Sequence, residues 1–108
     1  MAEPEPAGQL HVLTHVDVVP MKVEEGTDLL VEFVATARHS PGLARCALLR
    51  QTARKNHFEL LWVWRSKADY EQHLRNPATR EFRARLKPLL GSPVQDRVHV
   101  PVDLEEST

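Results

Sequence analysis

The sequence predicts an α+β fold of the ferredoxin-like type, β-α-β-β-α-β, with helices on one face of an antiparallel sheet. Three observations lead there. Four stretches of β-branched or alternating apolar residues lie near 10–19, 43–51, 56–65 and 94–102. Helical patterns follow the first and third of them. Turn-forming residues separate each strand from what comes next.

The first strand, Leu10-His11-Val12-Leu13-Thr14-His15-Val16-Asp17-Val18-Val19, stops at Pro20. Alternation puts Val12, Thr14, Val16 and Val18 on one face and His11, Leu13, His15 and Asp17 on the other. Apolar groups on both faces indicate an inner strand. Glu24, Glu25 and Asp28 suit a helix N-terminus, and Leu29, Leu30, Phe33, Val34 and Ala37 recur at helical spacing until Pro41-Gly42 forbids continuation near Ser40. Leu43–Gln51, short and flanked by turns, reads as the second strand.

The third strand begins at Asn56 and holds both tryptophans. Phe58, Leu60, Trp62 and Trp64 share one face, and Glu59, Leu61 and Val63 the other. Such an aromatic face packs a core or lines a pocket for a flat apolar ligand. Ser66 with Asp69 fits a capping box, and Tyr70, His73 and Leu74 then share a helix face. Asn76-Pro77 interrupts that helix. Phe82, Leu86 and Leu89 or Leu90 supply the buried side of the next segment, whose last turn Pro88 disturbs. Val94, Asp96, Val98 and Val100 alternate with Gln95, Arg97 and His99 in a fourth strand ending near Val102.

At 108 residues, with 42% hydrophobic and 27% charged residues, the composition suits one globular domain. The expected division is a disordered lead-in over 1–9, a folded domain over 10–102 and a polar tail over 103–108. A net charge of −1 offers no electrostatic attraction for nucleic acid or an anionic membrane. The basic residues between Arg75 and Lys87 read as a solvated helix face. Met1–Gly8 lacks the basic and apolar regions of a secretion signal and no apolar run approaches a span, so cytoplasmic residence is expected. Apolar residues on both strand faces call for a second subunit as cover, and a homodimer with packed sheets is expected.

A single cysteine, Cys46, excludes an intrachain disulfide and a multi-cysteine zinc site. His11 and His15 share a strand face but lie roughly 13 Å apart, too far for one metal ion. His15 with His99 across the sheet is a weaker pairing. His39 and His57 fall in or beside turns and read as exposed.

An ordered set of short matches runs along the chain: Thr14-His15-Val16-Asp17-Val18 before Pro20, Ser40-Pro41-Gly42, Asn56-His57-Phe58, Trp64-Arg65-Ser66, His73 with Asn76-Pro77, Arg80-Glu81-Phe82, Gly91-Ser92-Pro93 and Asp96-Arg97-Val98-His99. By that set, Leu10 to Val102 resembles the antibiotic biosynthesis monooxygenase family. The resemblance implies a dimeric α+β barrel. It also implies oxidation of polycyclic phenols or quinols by molecular oxygen with no metal, flavin or haem cofactor, while related members cleave haem with an Asn, a Trp and a His. Trp64 matches the family's strand tryptophan, His73 the helix histidine, and Asn56 the asparagine before the strand. Two positions depart from the family: Trp62 stands where many members carry Glu, and His15 where haem cleavers carry Asn.

Cofactor-free oxygenation needs an electron-rich substrate, a base, a dry aromatic pocket and a donor for the developing oxyanion. His15 and His73 are the candidate bases, Asn56 the donor, and Trp62 or Trp64 the stacking surface. Phe58, Tyr70 and Phe82 complete the expected substrate-binding set. Three readings stand: a monooxygenase on a small aromatic quinol or phenol, a non-catalytic aromatic-ligand-binding or dimerising accessory module, and a haem-binding or haem-degrading relative.

Overall fold

Alternation over Leu10–Asp17 becomes the central ladder of the sheet. The computed structural model describes residues 8–102, so the expected tail and Met1–Ala7 of the expected lead-in lie outside the described residues. Strand β1 (Leu10–Asp17) buries every second side chain. It lies between β3 (His57–Trp64) and β4 (Gln95–His99), antiparallel to both. Strand β2 (Leu43–Arg50) adds to the far side of β3, giving the sheet order β2-β3-β1-β4. That order, with three helices, is the ferredoxin-like arrangement, and the inner position of β1 is as its two apolar faces require.

Helix α1 (Val23–Ala37) carries Glu24 and Glu25 in its first turn and buries Leu29, Leu30, Phe33, Val34 and Ala37. Two short helices follow β3, divided at Asn76-Pro77 as expected. Ser66 caps α2 (Lys67–Arg75), its hydroxyl accepting from the Asp69 amide at 3.1 Å and donating to the Asp69 carboxylate at 2.9 Å. Asn76 caps α3 (Pro77–Leu86), its carbonyl accepting from the Ala78 amide at 2.8 Å, with Pro77 in the first turn. Phe82, Leu86 and Leu89 are buried, and Lys87–Leu89 is a 3-10 turn around Pro88.

Strand β4 is shorter than expected. Its register with β1 ends at His99 opposite His11, at the start of β1, and Pro101 has no amide hydrogen to extend the ladder. His57, expected to be exposed, is half-buried. The register sets it opposite Asp17, whose Oδ1 lies 3.3 Å from its Nε2. Among the described residues no helix is long and apolar enough to cross a membrane.

The turn between α1 and β2 depends on Gly42, which has a φ of 81°. A Cβ there would collide with the Asp69 side chain that partners the α2 cap. Gly42→Ala should therefore lower stability by about 2 kcal/mol or more, through left-handed strain and displacement of Asp69. Urea denaturation checks this; a loss below about 0.5 kcal/mol would mean the turn relaxes freely.

Candidate active site

The helix-facing side of β3 presents Trp62 and Trp64, two residues apart and almost completely buried. Their rings stack with centroids 5.9 Å apart and planes 18° apart. Helical spacing on α2 turns Tyr70 and His73 toward this wall. The His73 ring lies 4.8 Å from Trp64 and 5.1 Å from Trp62, and Tyr70 lies 6.4 Å from Trp64. Phe33 of α1 and Phe82 of α3 stack face to face at 3.8 Å, and Phe33 meets Trp62 edge-on at 5.8 Å.

One carboxylate organises the polar atoms of this region. Asp96 of β4 accepts from the Thr14 hydroxyl at 2.8 Å, the Tyr70 hydroxyl at 2.9 Å and Arg83 Nη2 at 2.9 and 3.2 Å. Thr14 in turn accepts from the Trp62 indole at 3.1 Å. Arg83, expected on a solvated helix face with its basic neighbours, turns inward instead because Asp96 is there to receive it. Thr14, Arg83 and Asp96 were not among the expected site residues. The available signal was Asp96 itself, an acid on the same strand face as Val94 and Val98, which demands a partner when buried.

Burial, then the charge and hydrogen bond of Asp96, push the Tyr70 phenol up to about 12, so it stays protonated. Burial, then the Arg83 charge, lower His73 to about 4 against the opposing pull of Asp96, leaving a neutral imidazole above that pH. His73 Nδ1 lies 3.3 Å from the Thr79 hydroxyl. The Trp64 indole N–H is buried and has no partner among the described residues. Such an orphan costs about 1–3 kcal/mol.

Five of the expected site residues thus converge: Trp62, Trp64, Tyr70, His73 and Phe82. Three lie elsewhere. Asn56 donates to the Val18 carbonyl at 2.7 Å, clamping the end of β1, about 26 Å along the strand from Trp64. His15 is on the opposite sheet face, with Nδ1 2.7 Å from the Glu59 carboxylate and its ring 5.4 Å from His57. Phe58 lies under the Arg50 guanidinium, 5.1 Å away. His99 pairs in register with His11, not His15. Among the described residues no three His, Cys, Asp or Glu side chains gather as a metal site requires. Cys46 is half-buried, and burial pushes its thiol up to about 11, which leaves it protonated and poorly nucleophilic.

Space inside the site is small. A cavity of about 10 Å³, roughly one water, is bordered by Thr14, Phe33, Trp62, Phe82 and Arg83. Outside it, a groove of about 200 Å³ runs between α1 and α3, and another of about 190 Å³ reaches His73 and Thr79.

Residues 9–85 match the family model described as antibiotic biosynthesis monooxygenase. No curated protein matches the chain. Among solved structures, Rv0793 of Mycobacterium tuberculosis is 22% identical, with a TM-score of 0.81 over 93% of this chain and 99% of that one. A Caulobacter crescentus protein described as a candidate antibiotic biosynthesis monooxygenase is 18% identical, with a TM-score of 0.82 over 89% and 92%. PA3566 of Pseudomonas aeruginosa is 19% identical, with a TM-score of 0.81 over 91% and 98%. At these identities the likeness is one of fold.

The depressed His73 pKa makes a stability prediction. Between pH 6.5 and about 4 the unfolded chain binds a proton on this residue that the folded chain does not. Stability therefore falls as pH drops through that interval, by about 3 kcal/mol at most. His73→Gln should flatten this part of a stability–pH curve measured by urea denaturation; an unchanged slope would assign the titration to another group.

Proposed function

The chain belongs to the antibiotic biosynthesis monooxygenase family, and we propose that it oxidises a small aromatic quinol or phenol with molecular oxygen, without a cofactor. The observation that carries this reading is the buried, unpartnered Trp64 N–H beside the neutral His73 imidazole in an aromatic enclosure. A donor of that kind suits an oxygen atom on a flat, otherwise apolar molecule.

The reaction balances without an external reductant. A phenol plus O₂ gives a quinone plus water: one oxygen atom enters the ring, the other leaves as water, and all four electrons come from the substrate. His73 accepts the hydroxyl proton. Its low pKa opposes this step alone, but the phenolate formed beside it favours the imidazolium, so proton transfer and ion pairing support each other. Trp64 N–H and the Arg83 guanidinium, which borders the inner cavity, supply positive ends for the developing oxyanion. Trp62, where many relatives carry a carboxylate, has its N–H engaged by Thr14 and serves as an apolar wall of the enclosure. A second reading keeps the same aromatic walls, Trp62, Trp64, Phe33 and Phe82, as an aromatic-ligand-binding module without turnover.

A second copy of the chain is proposed to cover the other sheet face. The support is apolar surface that no helix covers: Leu13, Ala47, Leu49 and Leu61, with Leu49 51% exposed. Sedimentation at micromolar concentration should give a dimer; a stable monomer would remove the barrel.

Oxygen uptake and quinone absorbance with dihydroxynaphthalenes and anthrones test the activity. Trp64→Phe should keep the fold and lower turnover about a hundredfold, the scale of losing one oxyanion donor. His73→Ala should depress turnover near neutral pH. Trp-fluorescence quenching by these compounds without oxygen uptake would select the binding-module reading, and an unchanged rate in Trp64→Phe would reduce that residue to core packing.

A further inference from the structure

We infer that Phe33 is the gate and size filter of the site, and that a planar aromatic ring of the ligand takes its place, stacked on Phe82. The inference rests on the proposed site between β3 and the helices, and goes beyond it by naming where the ligand enters and what it displaces.

The geometry comes from one side chain that borders three spaces. Phe33 lines the groove of about 200 Å³ between α1 and α3, the groove of about 190 Å³ that reaches His73, and the inner cavity of about 10 Å³ against Trp62 and Arg83. Phe82 is shared by the first and the last. These two rings are therefore the wall between open groove and enclosed site. The inner space is too small for any aromatic molecule, so a ligand in the grooves reaches the buried Trp62 ring only if this wall moves.

Phe33 and Phe82 lie almost parallel, 7° apart with centroids at 3.8 Å, so each presents a flat face to the other. Phe33 also meets Trp62 in an edge-to-face contact and lies 6.0 Å from the His73 ring. A flat ring in its position would inherit these neighbours: Phe82 as a stacking face, Trp62 as an edge-to-face contact, and His73 within reach of a ring substituent. Phe33 thus occupies the volume that an incoming ring needs, and its removal joins the grooves to the interior. The ligand class follows from the dimensions: one or two fused rings bearing a hydroxyl, entering edge-first between α1 and α3.

Phe82, by contrast, is the surface the ligand binds to. The two rings of one stack should then respond oppositely to truncation. Shortening Phe33 removes a competitor and raises the open fraction, which lowers the apparent dissociation constant. Shortening Phe82 removes a stacking partner.

The test titrates wild type, Phe33→Leu, Phe33→Met and Phe82→Leu with 1-naphthol by calorimetry and stopped-flow, after thermal unfolding has verified that each is folded. Leu and Met keep apolar volume in the core, so at least one Phe33 variant should be available. Both Phe33 variants should bind about tenfold more tightly than wild type, with faster association. Phe82→Leu should bind several-fold more weakly, about the scale of one aromatic stacking contact. Changes in the same direction for both positions, unchanged affinity in the Phe33 variants, or no binding by any of these proteins would overturn the inference. Binding of 1-naphthol is read without turnover, so the two proposals can fail separately. Opposite shifts with no oxygen uptake from quinols would leave the gate and remove the monooxygenase. Quinol turnover with unchanged binding in Phe33 variants would do the reverse.

Discussion

The carboxylate of Asp96 is the constraint on which the helical side of this molecule depends. A carboxylate mostly withdrawn from water is tolerated only with its lone pairs engaged. Asp96 meets that requirement with donors from β1, α2 and α3 at once. Strand β4 is only five residues long and pairs with β1 alone, so this cluster is also what ties the sheet's edge to the helices above it. Removing the carboxylate would leave Arg83 half-buried without its partner, a larger loss than the hydrogen bonds alone.

The same cluster determines the chemistry nearby. Arg83 and Asp96 act on His73 in opposite directions, with burial and Arg83 prevailing, so the ring is neutral. Burial, then Asp96, raise the Tyr70 pKa and keep its phenol protonated. The aromatic enclosure is thus lined by neutral donors and acceptors with one ion pair at its edge. Such a lining suits a molecule that enters uncharged and becomes anionic only after binding, because the positive ends are already oriented and need no rearrangement.

Period-two alternation in residues 10–17 and 57–64 made the sheet legible, since burying one face of an inner strand forces that pattern. Ser66 and Asn76-Pro77 marked the helix starts because caps are local chemistry. Trp62, Trp64, Tyr70, His73 and Phe82 were legible as a group for the same reason: strand and helix periods say which side chains share a face. Arg83 was not. A helix face with several basic residues does not reveal which one turns inward, and the answer came from Asp96, 13 residues away on strand β4. Asn56 and His15 show the converse limit. Residue type suggested chemistry for both, but the β1–β3 register puts one at the far end of the strand and the other on the opposite face. The end of β4 was illegible because it depends on where its partner begins.

The register also explains why two tryptophans of one strand face differ. Trp62 lies opposite Val12, and its indole reaches Thr14, two residues further along β1. Trp64 lies opposite Leu10, and the equivalent position two residues along is Val12. A branched methyl thus stands where a hydroxyl satisfies the neighbouring ring. Val and Thr have nearly the same shape, so packing does not select between them there; the hydroxyl alone distinguishes the two sites. With Val at that position the Trp64 N–H keeps its hydrogen-bonding capacity uncommitted among the described residues, on a ring 4.8 Å from that of His73, and a ligand oxygen that reached it would gain the full value of the bond.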